Sequence, residues 1–501
     1  MTSESPSTKK NNEADLAVRT DADIVTLSLI SHTNTGKTTL ARTLLRSDVG
    51  EVADAPHVTL FNTSYTLLHD SGSLLRLWDT PGFGDSARLL KRLQRERNPV
   101  LWFLSQTWDR FTDKPLWCGQ QALKNVREEA DVVLYLVNAS EPPDAATYVT
   151  PEMQILEWVG KPVIVLLNQT GRPQGAEVEA GEIAAWRDHL KSHALVRDVL
   201  ALDAFARCWV QEDKLMDSLL PLMEGSKIAT FQHIKRLWAR RNIETFRASV
   251  RLVSEQLTAS LLDGIEVRTE TLLERVGWNR DGLNREYNDA RQKLAAQLAD
   301  RVEQTTNHLI ETHGLEGEAR RRLSQAARDH FHLPENVNEN IWGVLGSFAG
   351  GAMGGLIADL KLGGMPFGCG ALLGGVAAGV GAYALIRSYN LVRGGDQRLR
   401  WSREHFREQV KLAYLTYLAV CHHGRGRGEW KESDQPAHWD TTVESVLETH
   451  QDALDHLWKN GVEKELGPES ISRQSRHFVT DGLTLLLQRL YPGTKIEMSS
   501  R

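Results

Sequence analysis

A chain of 501 residues is too long for one ordinary domain, and two or three are expected. With 41% hydrophobic and 25% charged residues it has a globular balance, and a net charge of -6 argues against a role built on neutralising nucleic-acid backbone. Its four cysteines (Cys118, Cys208, Cys369, Cys421) form no CxxC pair, which argues against a zinc ribbon or disulfide framework and makes the cytoplasm the default address.

Residues 1–21 are rich in Ser, Thr, Asn, Lys and Glu without an apolar core, and read as a disordered tail rather than a signal peptide. From 22 to 225 short apolar runs alternate with amphipathic stretches, the pattern of a three-layer α/β domain with a mostly parallel sheet. Strands are expected at Ile24–Ile30, Leu60–Leu68, Leu74–Trp78, Val132–Val137, Val163–Leu167 and Val199–Leu202. Asp70-Ser71-Gly72 reads as a hairpin turn between the second and third. A stretch at about 88–128, carrying Trp102, Trp108 and Trp117, exceeds a normal crossover and reads as a partly helical insertion.

Beyond residue 226 the period becomes helical. Leu283, Tyr287, Ala290, Leu294, Leu298 and Val302 form one apolar stripe, and Phe406, Val410, Ala413, Tyr414 and Tyr417 another. Two helical regions are expected, 226–335 and 393–501. Between them, 336–392 is apolar and dense in glycine, many at spacing four, which would let two helices of a hairpin approach closely. Two readings stand. The hairpin meets membrane lipid or a membrane protein, peripheral to or inserted in the inner membrane, or it is the tight core of a soluble helical domain, with Asp359 and Lys361 favouring the latter. No KH-like GxxG context appears, so the second half gives no strong nucleic-acid signal. Oligomeric state, including a homo-oligomer, stays open.

The chemistry is carried by Ser31-His32-Thr33-Asn34-Thr35-Gly36-Lys37-Thr38, followed by Thr39, between the first strand and a helical pattern. This is P-loop spacing, with Ser31 in place of the usual first glycine. Backbone N–H groups from Asn34 to Thr39 can cradle phosphates, and Gly36 lets the backbone approach closely. Lys37 neutralises β- and γ-phosphate oxygens, and the Thr38 hydroxyl ligates Mg²⁺. About forty residues on, Asp79-Thr80-Pro81-Gly82 ends a strand. There Asp79 can hold Mg²⁺ through water and the Gly82 N–H can sense the γ-phosphate. Thr59 is the candidate switch threonine that closes over Mg²⁺, with Thr63 as fallback.

Base reading is where the pattern departs. Asn168-Gln169-Thr170-Gly171 stands where Asn-Lys-x-Asp is usual, so the guanine-reading carboxylate is replaced by Gly171. Asn168 can still bond the base and brace the P-loop, and Gln169 can lie over the base. Asp203-Ala204, after the next strand, offers Asp203 as a substitute carboxylate. Guanine over adenine specificity is thereby open.

Together these residues resemble the Era-like branch of P-loop GTPases over roughly 22–225. The Leu-Trp-Asp-Thr-Pro-Gly-Phe-Gly-Asp run resembles a bacterial family fusing that domain to a C-terminal domain of unknown function. The resemblance implies GTP and GDP as ligands, hydrolysis of GTP with Mg²⁺, and slow intrinsic turnover, since Phe83 replaces the water-positioning glutamine. Asn34 matches the asparagine that ligates K⁺ in cation-activated members, or it simply shapes the loop. The expected function is a GTPase switch coupled to a helical domain. The alternative is a membrane-associated scaffold with a weak or relaxed nucleotide site.

Overall fold

The computed structural model describes residues 23–47, 61–70, 72–95, 99–105, 113–169, 175–204, 208–267, 280–315, 391–393, 398–423, 437–494 and 496. The N-terminal tail, the glycine-rich stretch, Thr59 and Gly171 lie outside them. The chain divides into two compact units: Met1–Glu244 with His422–Gly428, and Thr245–Cys421 with Glu429–Arg501.

Among the described residues the first unit is built on six strands: β1 (Ile24–Ser31), β2 (Thr63–Asp70), β3 (Ser73–Asp79), β4 (Val132–Asn138), β5 (Val163–Asn168) and β6 (Val196–Ala201). Their order is β2-β3-β1-β4-β5-β6. Only β2 runs antiparallel, paired to β3 from Thr63–Asp79 down to Asp70–Ser73 at the hairpin turn. The others are parallel; β1, β4 and β5 are buried on both faces as such strands require, while β6 at the sheet's edge is only partly buried. In β4 the period of two is explicit. Val132, Leu134 and Leu136 face one core with Leu27, Leu40 and Leu77. Val133, Tyr135 and Val137 face the other with Phe83, Leu89, Phe103 and Met153.

Helix α1 (Lys37–Leu45) follows β1 and ends where Arg46 turns left-handed at φ 56°. The expected insertion consists of α2 (Ser86–Leu93), capped by Asp85 through its bond from the Arg88 N–H, then α3 (Pro99–Ser105) and α4 (Lys114–Glu128). Gly119 of α4 lets that helix close on Leu89 and Phe83: an added Cβ would stand 3.5 and 3.6 Å from their side chains. Helix α5 (Val149–Val159) links β4 to β5 and stops at Gly160, φ 77°. α6 (Ala176–Leu190) and α7 (Trp209–Leu219) flank β6 in sequence. The N-terminal part of the long helix α8 (Lys227–Leu262) adds Phe231, Ile234 and Trp238 to the core. Lys227 anchors its start by gripping both Asp131 carboxylate oxygens at 2.7 and 2.8 Å.

The second unit is largely helical, with α9 (Arg280–Thr312), α10 (Arg403–Cys421), α11 (Ala437–Thr449), α12 (Gln451–Trp458) and α13 (Pro468–Leu490). The stripe residues Ala290, Leu294, Leu298 and Val302 are buried, as are Phe406, Val410, Ala413, Tyr414 and Tyr417. A small sheet not signalled by the sequence lies among them: β7 (Ile265–Glu266), β8 (Leu391–Arg393) and β9 (Arg398–Trp401), in the order β7-β9-β8. Strands of two to four residues are too short to show a period of two. Among the described residues no helix is long and apolar enough to cross a membrane.

Candidate nucleotide site

The C-terminal ends of β1, β3 and β5 converge on one edge of the sheet, where open α/β sheets bind ligands. From β1 the chain turns through Asn34 (φ 63°) and Gly36 (φ 89°) into α1. Glycine at 36 answers two demands. The left-handed backbone disfavours a side chain, and a Cβ there would sit 2.6 Å from the Asn168 amide nitrogen.

Ser31 does more than tolerate a glycine position. Its fully buried hydroxyl donates to the His32 carbonyl (2.6 Å) and accepts from Lys37 Nζ (2.8 Å) and from the Thr35 hydroxyl. Lys37 also reaches the His32 carbonyl at 3.5 Å. Burial holds the Lys37 ammonium below its usual pKa, opposed chiefly by the negative charge of Asp79. A desolvated ammonium at the mouth of a phosphate cradle gains more from an anionic ligand than an exposed one would.

Asp79 ends β3 directly beside this loop. Its Oδ2 accepts from Thr38 Oγ1 at 2.5 Å, while its buried Oδ1 has no hydrogen-bond partner. Burial pushes the carboxyl up to about 6, countered by the Thr38 bond and the charges of Lys37 and Arg42. A hydroxyl and a carboxylate side by side, one oxygen unsatisfied, are the hard oxygen donors that suit Mg²⁺. Gly82 follows, packed so closely that a Cβ would lie 2.9 Å from Lys37 Nζ and 3.1 Å from the His32 carbonyl. The Phe83 N–H then donates to Ser31 O (2.9 Å) and its carbonyl accepts from the Thr33 N–H (3.2 Å). The Phe83 ring is buried in the core.

Asn168 braces the loop from β5. Its Nδ2 donates to Thr35 O at 2.6 Å, and its Oδ1 accepts from the Ala204 N–H at 2.7 Å. Gln169, left-handed at φ 57°, donates to Asn34 O at 3.3 Å. Asp203 is buried between Leu202, tied to Leu167 O, and Ala204, whose carbonyl accepts from Thr43 Oγ1. Thr39 is buried in the first turn of α1. Of the candidates, Thr59 falls outside the described residues, and Thr63 opens β2 in register with Asp79. Sequence reasoning missed Glu152, which meets His32, and Tyr135, whose hydroxyl donates to Glu152; neither belongs to a motif.

Residues 191–478, more than half of the chain, match the domain of unknown function DUF3482. The chain belongs to that family. Residues 26–169 match the family described as 50S ribosome-binding GTPase, so the first unit of this DUF3482 protein carries a GTP-binding P-loop GTPase domain, a family whose chemistry is GTP hydrolysis. Among solved structures it is similar to a single-residue variant of Aquifex aeolicus Era bound to GDP and AlF4⁻, at 17% identity and a TM-score of 0.31. A second Era structure, with MgGDPNP and nucleotides 1506–1542 of 16S ribosomal RNA, has 18% identity and a TM-score of 0.30. Each match covers 40% of this chain and 58% of the Era chain, so little more than half of Era's length is spanned. The mGMPPNP-bound NFeoB of S. thermophilus matches at 20% identity and a TM-score of 0.23, over 47% of this chain and 71% of its own. No curated protein matches the chain.

Proposed function

We propose that the chain is a slow, Mg²⁺-dependent GTPase switch whose nucleotide state is read by its helical DUF3482 region. The observation that carries this is the Thr38–Asp79 pair: two hard oxygen donors beside Lys37, with Asp79 Oδ1 buried and unsatisfied. Lys37 leaves Ser31 for the β- and γ-phosphate oxygens, and the N–H groups from Asn34 to Thr39 orient the phosphates. Thr38 and Asp79 would hold Mg²⁺, which neutralises charge on the β- and γ-oxygens when bound. Thr59 closes over the same site, and the Gly82 N–H faces the γ-phosphate, so both segments are released after hydrolysis. Turnover is slow because the side chain at 83 is a core phenyl ring that cannot orient water.

Asn34 would hold K⁺ against the phosphates as a charge in place of an arginine finger. Guanine is read by the Ala204 region with Asn168 as brace and Gln169 over the base, and Asp203 supplies the carboxylate that Gly171 lacks. The adjacency of Ala204 and Asn168 at 2.7 Å supports this. The glycine-rich stretch is the segment we assign to contact with lipid or a membrane protein, on its composition alone.

The test is affinity and turnover of the full chain with GTP and ATP, in KCl and in NaCl, beside Lys37→Ala and Asp203→Asn. GTP preference, K⁺ stimulation, loss of turnover in Lys37→Ala and loss of base preference in Asp203→Asn are expected. Equal binding of both bases by the unaltered chain would overturn the guanine assignment. Equal rates in both salts would remove K⁺.

A further inference from the structure

The floor of the P-loop holds a carboxylate that the chemistry above does not use. Glu152, in the first turn of α5, is fully buried. Its Oε1 meets His32 Nδ1 at 2.8 Å, and its Oε2 accepts from the Tyr135 hydroxyl of β4 at 2.6 Å. Ser86, first residue of α2, lies near the same carboxylate and favours its charged form. The Tyr148 ring stacks on the other side of His32, centroids 4.6 Å apart.

His32 is not an incidental anchor. Its carbonyl accepts from Ser31 Oγ, Thr35 Oγ1 and Lys37 Nζ at 2.6, 3.2 and 3.5 Å. Its backbone also forms the bridge to Phe83 that seats Gly82 against Lys37. Ser86 lies three residues beyond that bridge, at the start of the helix that follows. One carboxylate therefore ties the P-loop to a central strand and, through the His32–Phe83 bridge, to the segment that carries Gly82.

We propose that Glu152 is a positioning residue for nucleotide turnover, acting through His32 and its bridge to Phe83 to keep Gly82 and the P-loop in register. This rests on the GTPase reading given above. Stability alone does not explain the group. Burial pushes its pKa up, opposed by the His32 and Tyr135 bonds and by nearby Ser86, and an apolar side chain among Val149, Met153 and Leu156 would avoid that desolvation. What an apolar side chain would not supply is directional bonding to the loop and to β4 at once, the property that fixes one arrangement of the loop against the sheet.

The experiment compares GTP turnover by the full chain with E152Q, H32A and the double variant, with thermal denaturation alongside. Wild-type turnover that Lys37→Ala abolishes is measured first, and its absence overturns the GTPase reading and this inference together. E152Q should lower kcat about tenfold with KM for GTP nearly unchanged, as misplacement of catalytic groups does. H32A should lower it comparably, and the double variant should be no slower than the worse single, because both act through one contact. Variants that melt earlier but turn over at the wild-type rate, or losses that multiply in the double variant, overturn the positioning role alone. Should E152Q fail to fold, Y135F removes one bond from the same carboxylate. A kcat about threefold lower supports the proposal and an unchanged kcat overturns it.

Discussion

The Thr38 hydroxyl donates to Asp79 Oδ2 across 2.5 Å, joining the first turn of the loop helix to the end of β3 over 41 residues of sequence. The other carboxylate oxygen is buried without a partner. The fold therefore carries a charge it does not itself satisfy, which is the signature of a group arranged for a ligand rather than for stability.

Asp79→Asn should accordingly stabilise the protein while destroying Mg²⁺-dependent turnover. The folded pKa of Asp79 is raised to about 6, so its favourable state is the protonated one, present at low pH and lost as pH rises through about 6. The ionised form above that pH corresponds to a penalty of roughly 3 kcal/mol, which asparagine does not incur. Urea denaturation without nucleotide should show the variant more stable at pH 7.5, with the advantage shrinking between pH 6 and pH 4. A variant less stable than wild type at pH 7.5 would mean that Asp79 is satisfied by the fold.

Gly82→Ala tests the close approach of the two loops. A Cβ at 82 would meet Lys37 Nζ at 2.9 Å, Thr33 Cα at 3.0 Å and the His32 carbonyl at 3.1 Å, two of them backbone atoms. The DxxG segment must move away from Lys37, so GTP hydrolysis should fall by about 10- to 100-fold while GDP affinity changes little. Single-turnover kinetics beside GDP titration separate the two effects.

The sheet and the position of the loops at its strand ends were legible because each rests on a local rule. Val132–Val137 is apolar at every position, and the Gly36-Lys37-Thr38 and Asp79-x-x-Gly82 spacings sit at strand ends. Glu152 was not legible, since a glutamate in the first turn of a helix is an ordinary feature and only the fold brings it to His32, 120 residues away. Ser31 read as a small residue tolerated where the P-loop's first glycine usually stands. Its hydroxyl proves to be the resting partner of Lys37 and Thr35, a role set by side-chain geometry that spacing does not encode. The β7-β9-β8 sheet was hidden because its strands are short and β7 lies far in sequence from the other two.

Asn168→Ala should cost both stability and affinity. The Thr35 carbonyl and the Ala204 N–H, both in buried residues, lose their partner together. Two unsatisfied buried groups correspond to about 2–4 kcal/mol, which denaturant titration reads directly. The P-loop then loses its brace on the base side, so GTP and GDP should both bind at least about tenfold more weakly, without preference between them. A large loss for GTP alone would instead place Asn168 in γ-phosphate sensing.

The insertion helix should report the nucleotide state. Phe61 lies edge-on to Trp117 of α4, with centroids 5.4 Å apart and planes at 85°. Beside it the Asn62 side chain donates to the Gln121 carbonyl at 3.0 Å. Thr59, the candidate switch threonine, is two residues from Phe61, a distance of at most about 7 Å along the chain. If Thr59 closes over the metal as proposed, that closure pulls on the Phe61–Trp117 contact, which is worth only about 0.5–1.5 kcal/mol and yields readily. Tryptophan emission should differ between the GDP and GTP-analogue complexes, and Trp117→Phe should remove most of that difference despite the other 13 tryptophans in the chain. Phe61→Ala should shrink the difference while leaving nucleotide affinity unchanged. An undiminished difference in both variants would mean that the switch closes without reaching the insertion, and that α4 is a fixed part of the core beneath Phe83.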